Sequence, residues 1–309
     1  MRNAFAAAIT DLAGRDERIV LLSGDIGNRL FDTFRGRHPD RFYNCGVAEA
    51  NMTGMAAGLA LSGLRPFTYT ITPFATTRVI EQIRVDICYH DVPVVIVGTG
   101  SGLSYASLGP THHSCEDVGI LRCFPNLTIL CPADSAEVGP AIEAALTLPG
   151  PTYIRLGKKG EPTVHASPPR FEVGRGIVMQ EGTDVCLLGM GTMVSVALEA
   201  AKALEAGGVS ARVVSMHTVK PLDERLLAES FDRFRVVAVV EEHSLIGGLG
   251  GAVAEWLARR DPPRARLVAC GTPDAFISEA GSQHWMRERC GLTGPAVAAR
   301  ILARLGDPP

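Results

Sequence analysis

The sequence predicts an α/β protein of two doubly wound domains, a parallel-sheet domain over residues 1–165 and a smaller α/β domain over 166–309. Three observations lead there. Continuous apolar runs rich in β-branched residues recur along the chain, as strands buried on both faces of a parallel sheet require. Longer helical patterns separate these runs, which is the alternation of α/β folds. Between 157 and 170 the alternation stops. Lys158, Lys159, Gly160, Pro162, Pro168 and Pro169 mark an exposed connection there, and a second alternating series follows.

Taken in order, residues 19–23, 67–71, 92–97, 127–130 and 152–154 read as strands of the first domain. Its helical patterns cover 51–61, 76–89 and 135–148. In the second domain, 184–189, 211–215, 236–240 and 266–270 read as strands and 192–206 as a helix. The chain of 309 residues, 46% hydrophobic and 20% charged, has the balance of a protein that fills its own core. A formal net charge of −3 argues against a nucleic-acid partner or a polybasic membrane surface. No apolar run approaches the roughly 20 residues of a membrane span. The start, Met1-Arg2-Asn3-Ala4-Phe5, lacks the apolar stretch of a signal peptide, so a cytoplasmic location is expected. The eight cysteines contain no C-x-x-C pair and are expected to be free, mostly buried thiols without a metal.

Four places in the first domain could carry chemistry. Glu49, in Gly46-Val47-Ala48-Glu49-Ala50-Asn51-Met52, follows a short strand-like piece and opens a helix. It is either an acid favoured by the helix dipole or an acid/base group at the carboxyl end of a strand, where open α/β sheets place ligands. Phe74, in Thr70-Ile71-Thr72-Pro73-Phe74, is either core or a flat platform for a ring. The segment from Gly98 to His113 is glycine-rich but lacks the spacing of a dinucleotide fingerprint, and its His112-His113 pair offers an imidazole for hydrogen bonding or proton transfer. Arg155 ends a strand; it is either an inter-domain salt bridge or a fork for a phosphate. In the second domain, Glu241-Glu242-His243-Ser244 runs into a glycine-rich loop without the P-loop pattern, so nucleotide binding is disfavoured there.

Together the blocks resemble the transketolase family over nearly the whole chain. They are Gly24-Asp25, Gly46 to Met52, Pro66 to Phe74, Gly109-Pro110-Thr111-His112, Arg122 to Asn126, Pro132-Ala133-Asp134 and Ile154-Arg155, then Lys220-Pro221-Leu222-Asp223 and Gly247-Gly248-Leu249-Gly250. The resemblance implies a pyrimidine-binding domain for thiamine diphosphate up to about 165 and a transketolase C-terminal-like domain after it. It implies that Glu49 hydrogen-bonds the aminopyrimidine nitrogen as a protonated acid, kept so by burial, and so lets the neighbouring imino group take the thiazolium proton. By the same likeness Phe74 stacks under the pyrimidine with Ile71 beside it, and Asp25 is an acid near the cofactor. His112 holds the donor's hydroxyl or carbonyl oxygen, and Arg155 binds a sugar phosphate.

Two departures from the family pattern matter. Common transketolases place an Asp where this sequence has Leu108, and leucine cannot accept a hydrogen bond from a substrate hydroxyl. A different, deoxy, branched or otherwise modified sugar is therefore expected. The family's diphosphate domain, with its Gly-Asp-Gly and downstream Asn, is not represented; Gly24-Asp25-Ile26-Gly27 does not supply it. The implied Mg2+ (or Ca2+) and the diphosphate then belong to a partner, an N-terminal transketolase subunit, in an α2β2 heterotetramer that acts on sugars. The rival readings are the β subunit of a 2-oxoacid dehydrogenase E1 component, a deoxyxylulose-phosphate-synthase-like activity and, from another class, a non-catalytic flavin- or nucleotide-binding module.

Overall fold

The computed structural model describes residues 1–27, 29–260 and 264–306. Strands β1 (Ile19–Ser23), β2 (Phe42–Asn44), β3 (Arg65–Ile71), β4 (Val95–Thr99), β5 (Thr128–Leu130) and β6 (Thr152–Leu156) run parallel in one sheet. β7 (Ile177–Gln180), β8 (Val185–Gly189), β9 (Ala211–Ser215), β11 (Val236–Ser244) and β12 (Arg266–Thr272) form the second, in the order β12-β11-β8-β9-β7. Every residue of β1, β4, β6, β8 and β9 is buried, which is why these strands read as mainly apolar runs and not as alternation, Arg155 and Arg212 being the buried charged exceptions.

The first sheet has the order β10-β5-β6-β4-β3-β1-β2. Its edge strand β10 (Thr218–Lys220) comes from the second half of the chain and pairs antiparallel with β5. Pairing across the boundary at 165 was outside the sequence reading, as were the short strands β7 and β10 themselves. One apolar cluster also spans both halves, joining Leu22, Ile96 and Tyr153 to Cys186, Leu188 and Val239.

Two local departures have clear causes. The strand expected over 92–97 begins only at Val95, because Pro93 has no N–H for a ladder and Val94 N bonds Val92 O instead. The continuous helix expected over 76–89 is a 3-10 turn (Thr77–Val79), a single helical turn (Ile80–Gln82) and a π-helix (Ile83–Tyr89). Thr76 Oγ1 and Thr77 Oγ1 donate to the carbonyls of Thr72 and Pro73, four residues back, which competes with a regular helix start.

The strand order reverses between β1 and β3: the chain moves outward from β1 to β2, then returns across β1 to β3 and on to β4. The crevice at the carboxyl ends of β1 and β3 is the place where such sheets receive ligands. None of the helices among the described residues is long and apolar enough to cross a membrane.

Candidate active site

Glu49 opens the helix Glu49–Leu61, which follows β2 and lies over β3. Its side chain is 3% exposed. The carboxylate accepts from no backbone amide of its own helical turn; both oxygens accept from Arg78 Nη1, each at 2.9 Å. Glycine at position 24, directly after β1, makes room for it. A Cβ there would sit 3.0 Å from Thr70 Oγ1 and 3.4 Å from Glu49 Cγ. Phe74 lies on the short helix Thr72–Ala75 at the end of β3, half-buried, with the Arg78 guanidinium carbon 3.9 Å from its ring centroid. Glu49 and Phe74, 25 residues apart in sequence, therefore meet around one planar cation.

His112 joins them. Its ring stands edge-on to Phe74 with centroids 5.4 Å apart and lies 5.9 Å from the ring of Tyr105. Thr111 Oγ1 is 2.9 Å from His112 Nδ1. Lys158 Nζ lies 4.1 Å over the Tyr105 ring. The backbone that permits this is Gly100, with φ of +76°, where a Cβ would fall 2.0 Å from Tyr105. Leu108, on the turn Ala106–Leu108, is 50% exposed. Ile71 is the half-buried last residue of β3. Asp25 is exposed beyond β1 with φ of 53°; it accepts from Asn44 Nδ2 and lines a separate polar cavity of about 740 Å³ with Arg29, Asp32 and Arg35. His113, unlike His112, is buried, and burial pulls its pKa down.

The structure corrects the expectation for Arg155. Its side chain is 3% exposed and two of its three nitrogens are engaged: Nε and Nη2 reach the two oxygens of Asp117, and Nη2 also reaches the carbonyls of Ser114 and Glu242. Burial pushes the Asp117 carboxyl up, and the neighbouring Arg155 charge more than reverses this, so it stays below the usual carboxylate range. The salt bridge therefore lies within the first half, against the inter-domain pair expected, and only the bond to the Glu242 carbonyl crosses to the second; Nε and Nη2 are not free for a phosphate.

The acidic cluster of the second half is structural as well. Glu241 accepts from the amides of Leu249 and Gly250 and so caps the helix Leu249–Leu257; burial raises its pKa to about 7. Glu242 accepts from Leu103 N, Gln283 and Arg287, and His243 Nε2 from Gly119 N. The amides of Leu249 and Gly250 in the glycine-rich loop are taken by the chain's own Glu241 carboxylate.

Arg78, Tyr105 and Lys158 escaped the sequence reading. For Arg78 helix-face spacing gives no signal, because the helix bearing Phe74 ends at Ala75 and Arg78 sits on the separate turn Thr77–Val79. For Tyr105 and Lys158 no local signal exists, since they are 53 residues apart and meet only through the sheet.

Residues 1–162 match the family model described as transketolase, pyrimidine binding domain, and 174–297 match transketolase, C-terminal domain. A 6-deoxy-6-sulfo-D-fructose transketolase subunit SqwH from Clostridium sp. (strain MSTE9) is 38% identical over 96% of this chain and 92% of the relative. A subunit of the apulose-4-phosphate transketolase from Phocaeicola vulgatus is 33% identical over 97% of this chain and 96% of the relative. A 1-deoxy-D-xylulose-5-phosphate synthase from Chlorobium phaeovibrioides is 35% identical over 96% of this chain but only 47% of its own length. Among solved structures, one described as a split gene transketolase in an inactive β4 tetramer superposes with a TM-score of 0.89 at 40% identity, covering 98% of this chain and 97% of that one.

Proposed function

This chain belongs to the transketolase family, and on that premise we propose that it is the pyrimidine-binding subunit of a two-chain transketolase that moves a two-carbon ketol unit from a ketose donor to an aldose acceptor. The observation that carries the reading is the meeting of Glu49, Phe74 and His112 at the switch point of the first sheet. The donor set fits thiamine diphosphate: a buried carboxyl beside an aromatic face already holds a flat, nitrogen-rich cation from the chain itself.

When bound, thiamine diphosphate supplies a thiazolium carbon able to stabilise a carbanion. Glu49 would hold a proton at the pyrimidine ring nitrogen. Phe74 would lie against the ring face, Ile71 at its edge, and Asp25 at the open end of β1 toward the partner's half of the cofactor. His112 would hold the donor's hydroxyl or carbonyl oxygen. Leu108, unable to accept a hydrogen bond, would favour a deoxy, branched or otherwise modified sugar. Two relatives named for 6-deoxy-6-sulfo-D-fructose and apulose-4-phosphate support that choice.

The partner would be an N-terminal subunit carrying the diphosphate and its Mg2+ or Ca2+, in an α2β2 assembly, and the lone chain would be inactive. Exposed apolar residues close in sequence to Glu49 support such a partner: Tyr43 is 44% and Val47 76% exposed. A deoxyxylulose-phosphate-synthase-like condensation is the second reading, favoured by the 35% identical relative.

Glu49→Gln in the assembled two-chain enzyme tests the first reading. Activity should fall by roughly 10²–10⁴-fold with assembly intact. Turnover within a few-fold of the parent would reduce Glu49 to an ion-pair partner. Carbon dioxide release from pyruvate and an aldose phosphate, without ketol transfer, would move the assignment to the second reading.

A further inference from the structure

Arg78 makes two contacts that are individually ordinary and jointly informative. Its Nη1 donates to both oxygens of Glu49, and its guanidinium lies on the face of Phe74. A guanidinium is planar, delocalised and edged with N–H donors, so it satisfies the same two recognition elements as an aminopyrimidine: a carboxyl at the edge and an aromatic face below. The two cannot share that place, because each needs the same carboxyl oxygens and the same ring face.

The tether is built to let go. Arg78 is 43% exposed whereas Glu49 is 3% exposed, so only one side of the pair is fixed. Arg78 sits on the 3-10 turn Thr77–Val79, preceded by Thr76 at φ −127° and ψ −83°, outside any continuous helix. Leaving the pair costs the half-exposed arginine little on its own side, since water replaces its hydrogen bonds, whereas the buried Glu49 is stranded unless the incoming ring takes the arginine's place.

We propose that Arg78 is an internal plug: in the free chain it occupies the seat of the pyrimidine, and it must swing out before the cofactor enters. The inference rests on the thiamine diphosphate reading given above and adds a gating residue to it. The plug also keeps the buried carboxylate paired in the unloaded chain, where an uncompensated charge would be expensive.

The test is cofactor affinity, measured by calorimetry with thiamine diphosphate and Mg2+ on the assembled two-chain enzyme, for the parent, Arg78→Ala and Arg78→Gln. Apparent affinity is the intrinsic affinity scaled by the open fraction, and the half-exposed arginine side limits how tightly the pair closes. Both variants should therefore bind about 3- to 10-fold more tightly. The advantage should shrink as ionic strength rises, because salt screens the plug in the parent. Equal or weaker binding by both variants beside a parent that binds would overturn the plug and leave the cofactor reading standing. No binding by parent or variants would overturn both. A structure of the loaded parent gives the second measurement: Arg78 away from the Phe74 face supports the plug, and Arg78 still on Glu49 and Phe74 beside a bound ring refutes it.

Discussion

Replacing Arg155 by Met separates the two roles that an arginine at the end of β6 could have. The structure places its guanidinium on both oxygens of Asp117 and on the carbonyls of Ser114 and Glu242, with both side chains of the pair at 3% exposure or less. Breaking a buried pair from one side strands the other charge and costs about 3–5 kcal/mol. Tyr153 Oη, which donates to Asp117 at 2.7 Å, remains and keeps the loss from the top of that range. For a chain of 309 residues the unfolding entropy is on the order of 0.65 kcal/mol per degree, so about 4 kcal/mol lowers the thermal midpoint by about 6 °C. Scanning calorimetry of the full chain reads this directly. A double variant, Arg155→Met with Asp117→Leu, should recover a good part of the loss, because it removes the stranded charge as well. A midpoint within about 1 °C of the parent, together with a raised KM confined to phosphorylated sugars, would refute the structural role of the Arg155–Asp117 pair and restore the phosphate fork.

Three further outcomes are expected. His165 Nε2 lies 2.7 Å from Glu137 Oε1, and that hydrogen bond raises its pKa above the ordinary value near 6.5. The folded state thus binds the proton more tightly, so the contribution is fully present below about pH 6.5 and is lost as pH rises through the folded value. The stability gap between the parent and His165→Gln should be widest near pH 6 and close toward pH 9 in denaturant titrations, and a pH-independent gap would sink the linkage. Gly100→Ala should displace Tyr105 and with it His112, since its Cβ would fall 2.0 Å from the ring at a φ of +76°. Loss of at least ~1–3 kcal/mol is expected, and an unperturbed melting curve would contradict it. Leu108→Asp in the two-chain enzyme should sharpen discrimination between acceptor epimers at the hydroxyl-bearing carbon next to the aldehyde, measured as kcat/KM ratios against their 2-deoxy analogues. A parent that already discriminates as sharply would show that another residue reads that hydroxyl.

The sequence by itself determined the class of fold and named most of the residues proposed to carry chemistry. Continuous apolar runs announced strands buried on both faces, and those strands formed two sheets. Glu49, Phe74 and His112 were legible because each stands in a short block whose order along the chain is itself a signal. What tertiary structure alone decided are the partners. Arg78 and Glu49 are 29 residues apart, and nothing local says that an exposed arginine turns back onto a buried acid. Arg155 looked as fit for a phosphate as for a salt bridge until Asp117 and, 87 residues away, the carbonyl of Glu242 closed around it. β10 crosses to the other sheet for the same reason: a three-residue strand has too little pattern to name its neighbour. Local periodicity encodes which face of an element is apolar. Pairing between distant elements is settled by which buried charges and backbone groups find partners once the sheets have packed, and that information is spread over the whole chain.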